Sequence, residues 1–406
     1  MKLLVLVCGL MLAAVALAAA YVELWRHRAP TIRGSTTTEF VPTLAVQPAP
    51  EPGVAWSTYG YDQERTRAMP ALRVHPPFRR LWTWHGRALL EFPPAVGYGR
   101  VYITNFAGTL SALDASTGKR AWSYRSGRCG WASPALAEHV VYETFIGSGE
   151  CGSHMRDGEV AAFDARTGAV RWRRAVGPTE SSPLVVHGVV YVGDWDGRVW
   201  ALDAATGRTR WTAQLRGAIK GSLARSGKRL FIGTYGGDVV ALAAQSGRVL
   251  WRSGGHGSIY SSPAVGYGRV YIGSLDGGVY AFGAATGDLL WAHATGGYIY
   301  ASPALWRGRV LVGSYNHRFY AFDAGTGDIR WEFDAGGVIS GSASVIDGLV
   351  YFSTFKEQTY ALRASTGRQV VHWPDGKYSP AVADATHLYF VGLGRLYGLS
   401  PARRRR

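Results

Sequence analysis

Residues 199–211 read VWALDAATGRTRW, and the phrase returns as LSALDASTGKRAW at 110–122, VAAFDARTGAVRW at 160–172 and FYAFDAGTGDIRW at 319–331. Aligning the chain on the closing tryptophan gives Trp82, Trp122, Trp172, Trp211, Trp251, Trp291 and Trp331, mostly 39 or 40 residues apart, with one step of 50. One further step lands on Val371, where TGRQVV has lost the tryptophan. Two other landmarks keep the same period. A strand of the VYIG type begins near Val101, Val140, Val190, Leu230, Val270, Val310, Val350 and Leu388. A short SP-like start recurs at Pro94, Pro134, Pro183, Leu223, Pro263, Pro303, Ala343 and Pro380.

A period of about forty with four strand signals per unit predicts an all-β, eight-bladed β-propeller of four-stranded antiparallel blades. Each unit reads as strand A at SPAV, a Gly-containing turn, strand B at RVYIG, a DG turn, strand C at VYAFD, a TG turn, and strand D ending at Trp. The eighth blade is split. Its inner strands come from about 378–399 and its outer strand from FRRLWTWHG around Trp82, so the termini close the ring and leave no open edge. The repeated phrase has a structural reading. Asp203 caps its own turn, Gly207 supplies the special backbone angle, and Ala201 and Ala204 let the next blade approach. Trp211 then lies against that blade, and eight such contacts hold the ring. Ala243, Gly283 and Arg363 replace the Asp in three copies, as a turn cap tolerates.

Composition agrees: 53 Gly, 15 Trp and 22 Tyr in 406 residues suit short strands and tight turns. The formal charge is +16, almost all of it arginine, spread over every repeat. That spread reads as a solvated surface and argues against nucleic acid; attraction to anionic lipid or wall polymer fits better. Residues 1–28 carry an uncharged run from Leu3 to Val22, long enough to cross a bilayer. It reads first as a transmembrane anchor and second as a cleaved signal peptide, so the rest of the chain is expected to be extracytoplasmic, periplasmic or at the cell surface, or secreted after cleavage. Residues 29–55, rich in Pro, Thr and Ala, read as a disordered stalk. The propeller domain then spans 56–406, ending in a basic RRRR tail at 403–406.

The pattern A-x-D-x-x-T-G-x-x-x-W, carried by Ala112, Asp114, Thr117, Gly118 and Trp122 and again by Ala201, Asp203, Thr206, Gly207 and Trp211, resembles the tryptophan-docking motif of the PQQ-like, quinoprotein-type β-propeller family. The lead-in WSTYGYDQERTR at 56–67 is similar to the segment opening many members. The resemblance covers roughly 56–399. It implies the fold but leaves function open, because the family spans PQQ-dependent alcohol dehydrogenases, BamB-like outer-membrane-assembly proteins and exported propellers without a cofactor. The dehydrogenases resembled hold PQQ over the ring axis with Ca²⁺ on carboxylate and amide oxygens, an Asp base, a Trp floor and often an adjacent Cys–Cys pair. This chain has no adjacent cysteines and no matching Glu/Asn/Asp set. No cofactor is therefore expected, with PQQ and Ca²⁺ the lesser alternative; a Ca²⁺ site using Glu91 or Glu180 is a separate minor reading of the channel mouth. Nucleophile-elbow and zinc-protease motifs are absent, and GSLARSGK at 221–228 has the wrong spacing for a phosphate loop.

Specificity is expected where the repeats differ. Three residues before each SP landmark, a position near the central channel reads Glu91, Trp131, Glu180, Lys220, Tyr260, Tyr300, Ser340 and Lys377. Asp194, Trp195, Tyr235, Tyr315, Asn316 and His317 break consensus at the B–C turns. The D–A connections and B–C turns share one face, so these residues form a candidate binding mouth for a small polar ligand, a glycan or an envelope protein. Cys129, in a D–A connection, and Cys151, in the ten-residue insertion of the second blade, lie on that same face and are expected to form a disulfide in an oxidising compartment. The sequence thus predicts an exported, membrane-anchored, monomeric propeller acting as a binding or scaffold module, with a PQQ-dependent dehydrogenase as the alternative.

Overall fold

The computed structural model describes residues 29–44, 51–69, 74–148, 151, 155–378 and 381–402. Eight sheets form the blades of a propeller. Blade 1 runs from Ala95 to Arg125, and blades 2 to 7 follow at 135–176, 184–214, 224–253, 264–294, 304–334 and 344–373. In each, strands A to D follow in chain order from the channel outward and pair antiparallel. Blade 8 takes its three inner strands from 381–401 and its outermost from Phe78–His85, which pairs antiparallel with Arg395–Pro401 and sets Trp82 opposite Gly398. The ring therefore closes between the two ends of the chain.

The repeated phrase makes the joints. Asp203 Oδ1 accepts the Thr206 N–H at 3.0 Å and the Thr206 hydroxyl at 2.8 Å, while its Oδ2 pairs with Arg210 at 2.7 Å. This tight turn requires Gly207 at φ +70°, and a Cβ there would stand 2.6 Å from the Trp172 ring of the preceding blade. One glycine thus serves both the turn and the dock. Each docking indole also donates to the carbonyl that follows the Asp position of the next blade. Examples are Trp172 to Ala204 at 2.8 Å, Trp211 to Ala244 at 3.1 Å and Trp291 to Ala324 at 3.0 Å. Seven joints are built this way rather than eight. At the junction of blades 7 and 8, where Val371 stands in the tryptophan position, Trp373 stacks on Phe390 at 5.0 Å and on Phe78 at 6.4 Å.

The lead-in forms a hoop inside the channel. Val54–Trp56 pairs with strand A of blade 1. The Ser57 carbonyl accepts from Leu136 of blade 2, and Thr58 Oγ1 donates to Pro183 just before strand A of blade 3. Carbonyls of Gln63, Glu64, Thr66 and Arg67 accept from Arg225, Val265, Leu305 and Val345, one in each of blades 4 to 7, at 2.7–2.8 Å. Ala68–Met69 then runs parallel to strand A of blade 7. The exposed inner edges of the blades, which would otherwise carry unpaired N–H groups, find their partners here. Fully buried Arg65 ties the hoop to two blades through the carbonyls of Leu223 at 2.8 Å and Ser182 at 3.2 Å.

Two expectations about the N-terminal region need correction. Among the described residues no helix is long and apolar enough to cross a membrane. Residues 1–28, which carried the anchor expectation, lie outside the described residues, as does the RRRR tail. Residues 29–44, expected as a free stalk, instead lie across the outside of blades 5 and 6. Ile32 bridges Ala292, and Arg33 pairs with Asp328 at 3.0 Å. Buried Arg269 gathers the carbonyls of Ser35, Thr38 and Glu39. Glu39 explains the attachment. It takes the Thr286 hydroxyl at 2.6 Å, the contact that Asp makes in complete copies of the phrase, beside Gly283, which holds the Asp position here. The strap supplies from outside the carboxylate that blade 5 lacks.

Candidate functional site

Regular bonding builds the channel mouth. At five consecutive SP landmarks a serine hydroxyl accepts the N–H of its counterpart one blade back: Ser133 to Ser182, Ser182 to Ser222, Ser222 to Ser262, Ser262 to Ser302 and Ser302 to Ser342, all at 2.8–2.9 Å. These contacts form a belt of hydroxyls around the axis, each with a proton left to donate. Above it, the N–H of the second B–C turn residue bonds to a carbonyl of the preceding D–A connection. Phe106 bonds to Leu89, Trp195 to Pro178, Tyr235 to Ala218, Leu275 to Ser258, Tyr315 to Tyr298 and Phe355 to Val338, at 2.7–3.0 Å. This places an apolar side chain from each such turn at the rim.

Together these elements enclose a polar well on the axis. Its floor is Tyr59 of the hoop with Ser222, Ser262, Ser302 and Ser342, and its walls include Glu91, Phe92, Glu180, Lys220, Tyr260, Tyr300, Ser340 and Tyr378. The space that water centres can occupy inside is about 50 Å³, enough for a few waters. Glu180 is fully engaged: Lys220 Nζ at 3.1 Å and Trp195 Nε1 at 2.9 Å share Oε1, and the Tyr260 hydroxyl reaches Oε2 at 2.5 Å. Lys220 also stands 3.8 Å over the Trp195 ring. Burial, then the charge of Glu180, pushes the Glu91 carboxyl up to about 7, with Lys377 pulling the other way. Burial and Glu180 hold the Tyr260 phenol well above its ordinary value. Beneath the floor, Arg67 stacks 3.9 Å over Tyr59, whose hydroxyl meets Ser342 at 3.0 Å. Burial alone would raise the Tyr59 phenol; the Arg67 charge and bonds to Ser342 and Ser302 outweigh it and carry the phenol below its ordinary value.

Aromatic rings surround the well. Tyr260, Tyr300, Tyr315, Phe355 and Tyr378 follow one another with centroids 4.9–5.9 Å apart, and Tyr298 joins at 5.9 Å from Tyr315. On the other side Phe106, Trp131 and Trp195 stand 5.5 and 6.2 Å apart. Tyr298, Tyr235 and Phe355 are 55, 38 and 37 % exposed, which makes this rim the place where large apolar rings meet solvent on this face.

The structure brings Glu91, Glu180, Lys220, Tyr260, Tyr300 and Ser340 into one well, with Trp131 and Trp195 on its rim. Lys377 lies at the edge, 5.3 Å over Phe355 and 5.9 Å over Tyr378. His317 stands apart; its φ of 73° fills the turn position that glycine holds in other blades. Asp194 and Asn316 serve their own turns, Asp194 taking the Trp200 indole at 2.7 Å and Asn316 donating to Thr295 at 2.6 Å. Sequence reasoning missed Tyr59, Arg67 and the serine belt. The serines were visible within the SP landmark, where they read only as strand starts. Cys129 and Cys151 are joined in a disulfide, with Cα atoms 5.6 Å apart. The bridge ties the blade 2 insertion to the connection beside Trp131.

These residues do not fit PQQ with Ca²⁺. The Lys220 ammonium already holds the oxygen of Glu180 that a cation would need, and Glu91 is half neutral near pH 7. Among the described residues no set of three or more His, Cys, Asp or Glu side chains gathers as a metal site.

The family model described as outer membrane protein assembly factor BamB matches residues 74–149, 125–252 and 218–405. The 1-butanol dehydrogenase (cytochrome c) of Thauera butanivorans is 28% identical over 151 residues, covering 34% of this chain and 21% of that protein. Outer membrane protein assembly factor BamB of Bordetella pertussis is 30% identical over 95 residues, covering 23% of each chain. The chain thus spans under a quarter of the length of these curated relatives. A europium-containing methanol dehydrogenase superposes with a TM-score of 0.74 at 14% identity, over 86% of this chain and 98% of that one. That likeness is one of fold. The propeller is common to the assembly factors and the dehydrogenases, so the choice between them falls to the site.

Proposed function

The chain belongs to the family described as outer membrane protein assembly factor BamB, and from that premise we propose that it is a non-enzymatic binding and scaffold propeller of an extracytoplasmic compartment. It engages its ligand with the face that carries the D–A connections and B–C turns. One observation carries the reading: an aromatic rim, partly open to solvent, surrounds a polar well whose strongest carboxylate is already saturated by Lys220, Trp195 and Tyr260. Such a site offers contact area and directional hydrogen bonds. It offers neither an activated nucleophile nor an open metal position. The disulfide between Cys129 and Cys151 supports the compartment. The same face pins its longest insertion with that bridge, as a recognition surface requires.

The dehydrogenase reading keeps one support, the similarity to 1-butanol dehydrogenase over a third of the chain. Purified protein incubated with PQQ and Ca²⁺ tests it. The expected result is no retained chromophore and no dye-linked oxidation of alcohols or sugars. A bound quinone with turnover would overturn the binding-module proposal.

A further inference from the structure

Building on the proposal that the channel mouth is the binding face, we infer that its ligand is a saccharide. Its rings lie on the exposed aromatic rim and one hydroxyl-bearing arm enters the well. The backbone of this face supports the choice. The second residue of each B–C turn described above spends its N–H on a D–A carbonyl, and the landmark N–H groups from Ser133 to Ser302 are spent on the serine belt. Among the described residues these N–H groups are therefore closed to an incoming polypeptide, which could not extend a strand on them, one recurring way an extended peptide is held by main-chain bonds. Recognition falls to ring faces and hydroxyls.

The rim and the well match a sugar in different ways. Tyr315 stands 5.9 Å from both Tyr298 and Phe355, inclined by 54° to the first and edge-on at 69° to the second, so the three rings form a stepped aromatic surface with its two ends exposed. Aromatic faces are electron-rich and attract the weakly positive C–H face of a pyranose. Inside the well the belt serines and Tyr59 present hydroxyls that both donate and accept, the same capacity a sugar hydroxyl has. Glu91, poised between acid and carboxylate, can do either. The charges oppose a polyion: Lys220 is matched by Glu180, and Lys377 faces Glu91. The well is lined by hydroxyl, carboxyl and ammonium groups, so it takes a hydroxymethyl or acetamido arm while the sugar rings lie on the aromatic rim.

Isothermal titration of the full chain tests the inference with three probes: the tetrasaccharides of β-1,4-N-acetylglucosamine, α-1,4-glucose and α-1,4-galacturonate. At least one of the two neutral probes is expected to bind with a Kd below about 1 mM, and binding by the galacturonate alone would overturn the inference. Tyr298→Ala, a change at an exposed side chain, is expected to weaken that binding about tenfold with an unchanged melting temperature. Glu91→Gln is expected to remove the change in affinity across pH 7. Silence of all three probes at about 10 mM, or binding indifferent to Tyr298→Ala, overturns the inference. The underlying proposal fails separately. A photoreactive residue at position 298 that couples to a polypeptide, while the sugars stay silent, keeps the binding face and removes the saccharide. Turnover with PQQ and Ca²⁺ removes both.

Discussion

Trp291→Ala measures how much one joint contributes to the ring. Trp291 is fully buried, and its indole lies on Gly327 of the next blade. Unlike the other docking tryptophans it is also covered from outside, since a Cβ on Gly34 of the strap would stand 2.9 Å from its Cδ1. Truncating a buried tryptophan costs about 3–5 kcal/mol. The lost hydrogen bond adds little, because the Ala324 carbonyl keeps the Tyr271 hydroxyl at 3.0 Å and Arg269 at 3.2 Å. Trp211 is the matched control. It docks identically on Gly247 and Ala244, whose carbonyl also keeps a tyrosine hydroxyl at 3.1 Å, but it remains partly exposed. We expect about 4 kcal/mol for Trp291→Ala and about 2–3 kcal/mol for Trp211→Ala. With an unfolding entropy of about 2.1 cal/mol/K per residue, a propeller of roughly 350 residues loses about 1 °C for each ~0.7 kcal/mol. The expected falls in Tm are therefore about 6 °C and about 3–4 °C, read by differential scanning calorimetry. Equal shifts would refute the added protection from the strap. A shift under about 2 °C for Trp291→Ala would refute the idea that docking holds the blades together.

Three further outcomes follow from buried or compensating groups. Glu143 is fully buried in blade 2, where other blades carry Val, Ile or Phe, and burial pushes its carboxyl up to about 8 despite bonds from Thr104 and the Thr144 N–H. Its neutral form stabilises the fold, so that contribution is complete below about pH 4.5 and is lost as pH rises through about 8, on the order of 5 kcal/mol. Glu143→Gln should flatten the fall in Tm between pH 5 and 8.5; an unchanged slope sinks the assignment. Replacing Cys129 and Cys151 by Ser should cost roughly 3 kcal/mol for a loop of this length, and thiol titration of the unreduced wild-type protein should find neither residue free. Gly283→Asp should lower Tm, because a Cβ there meets the Glu39 carboxylate at 2.3 Å. In a Glu39→Ala background the same change should raise Tm; simple additivity of the two would show that Glu39 does not substitute for the missing Asp.

The fold was legible because it is periodic. Once VWALDAATGRTRW is aligned, blade number, strand order, closure through Trp82 and the docking geometry follow from residues repeated for one physical reason. Part of the well was legible by the opposite logic, since Glu91, Glu180, Lys220, Tyr260 and Tyr300 occupy one position that changes from blade to blade. What escaped has no periodicity. Tyr59, Arg65 and Arg67 belong to a segment that passes blades 1 to 7 in turn without repeating itself, so no repeat marks it. His317 misled because a turn residue and a rim residue are neighbours in sequence while only one faces the well. The strap of 29–44 looked like a linker because Pro and Thr dominate it, and the reason it binds, Gly283 in blade 5, lies some 240 residues away.

The hoop also constrains the order of assembly. Residues 57–69 are synthesised before any of the strands they pair with, and their partners extend to Val345. Contacts so distant in sequence are slow to close, because chain entropy is lost before they form. The blades can form one by one as local hairpins, yet blades 1 to 7 are not complete on their channel side until each has met a segment made earlier. The ring is therefore assembled around its axle, and a circular permutant that moves residues 54–69 to the C-terminus should form blades readily but close slowly.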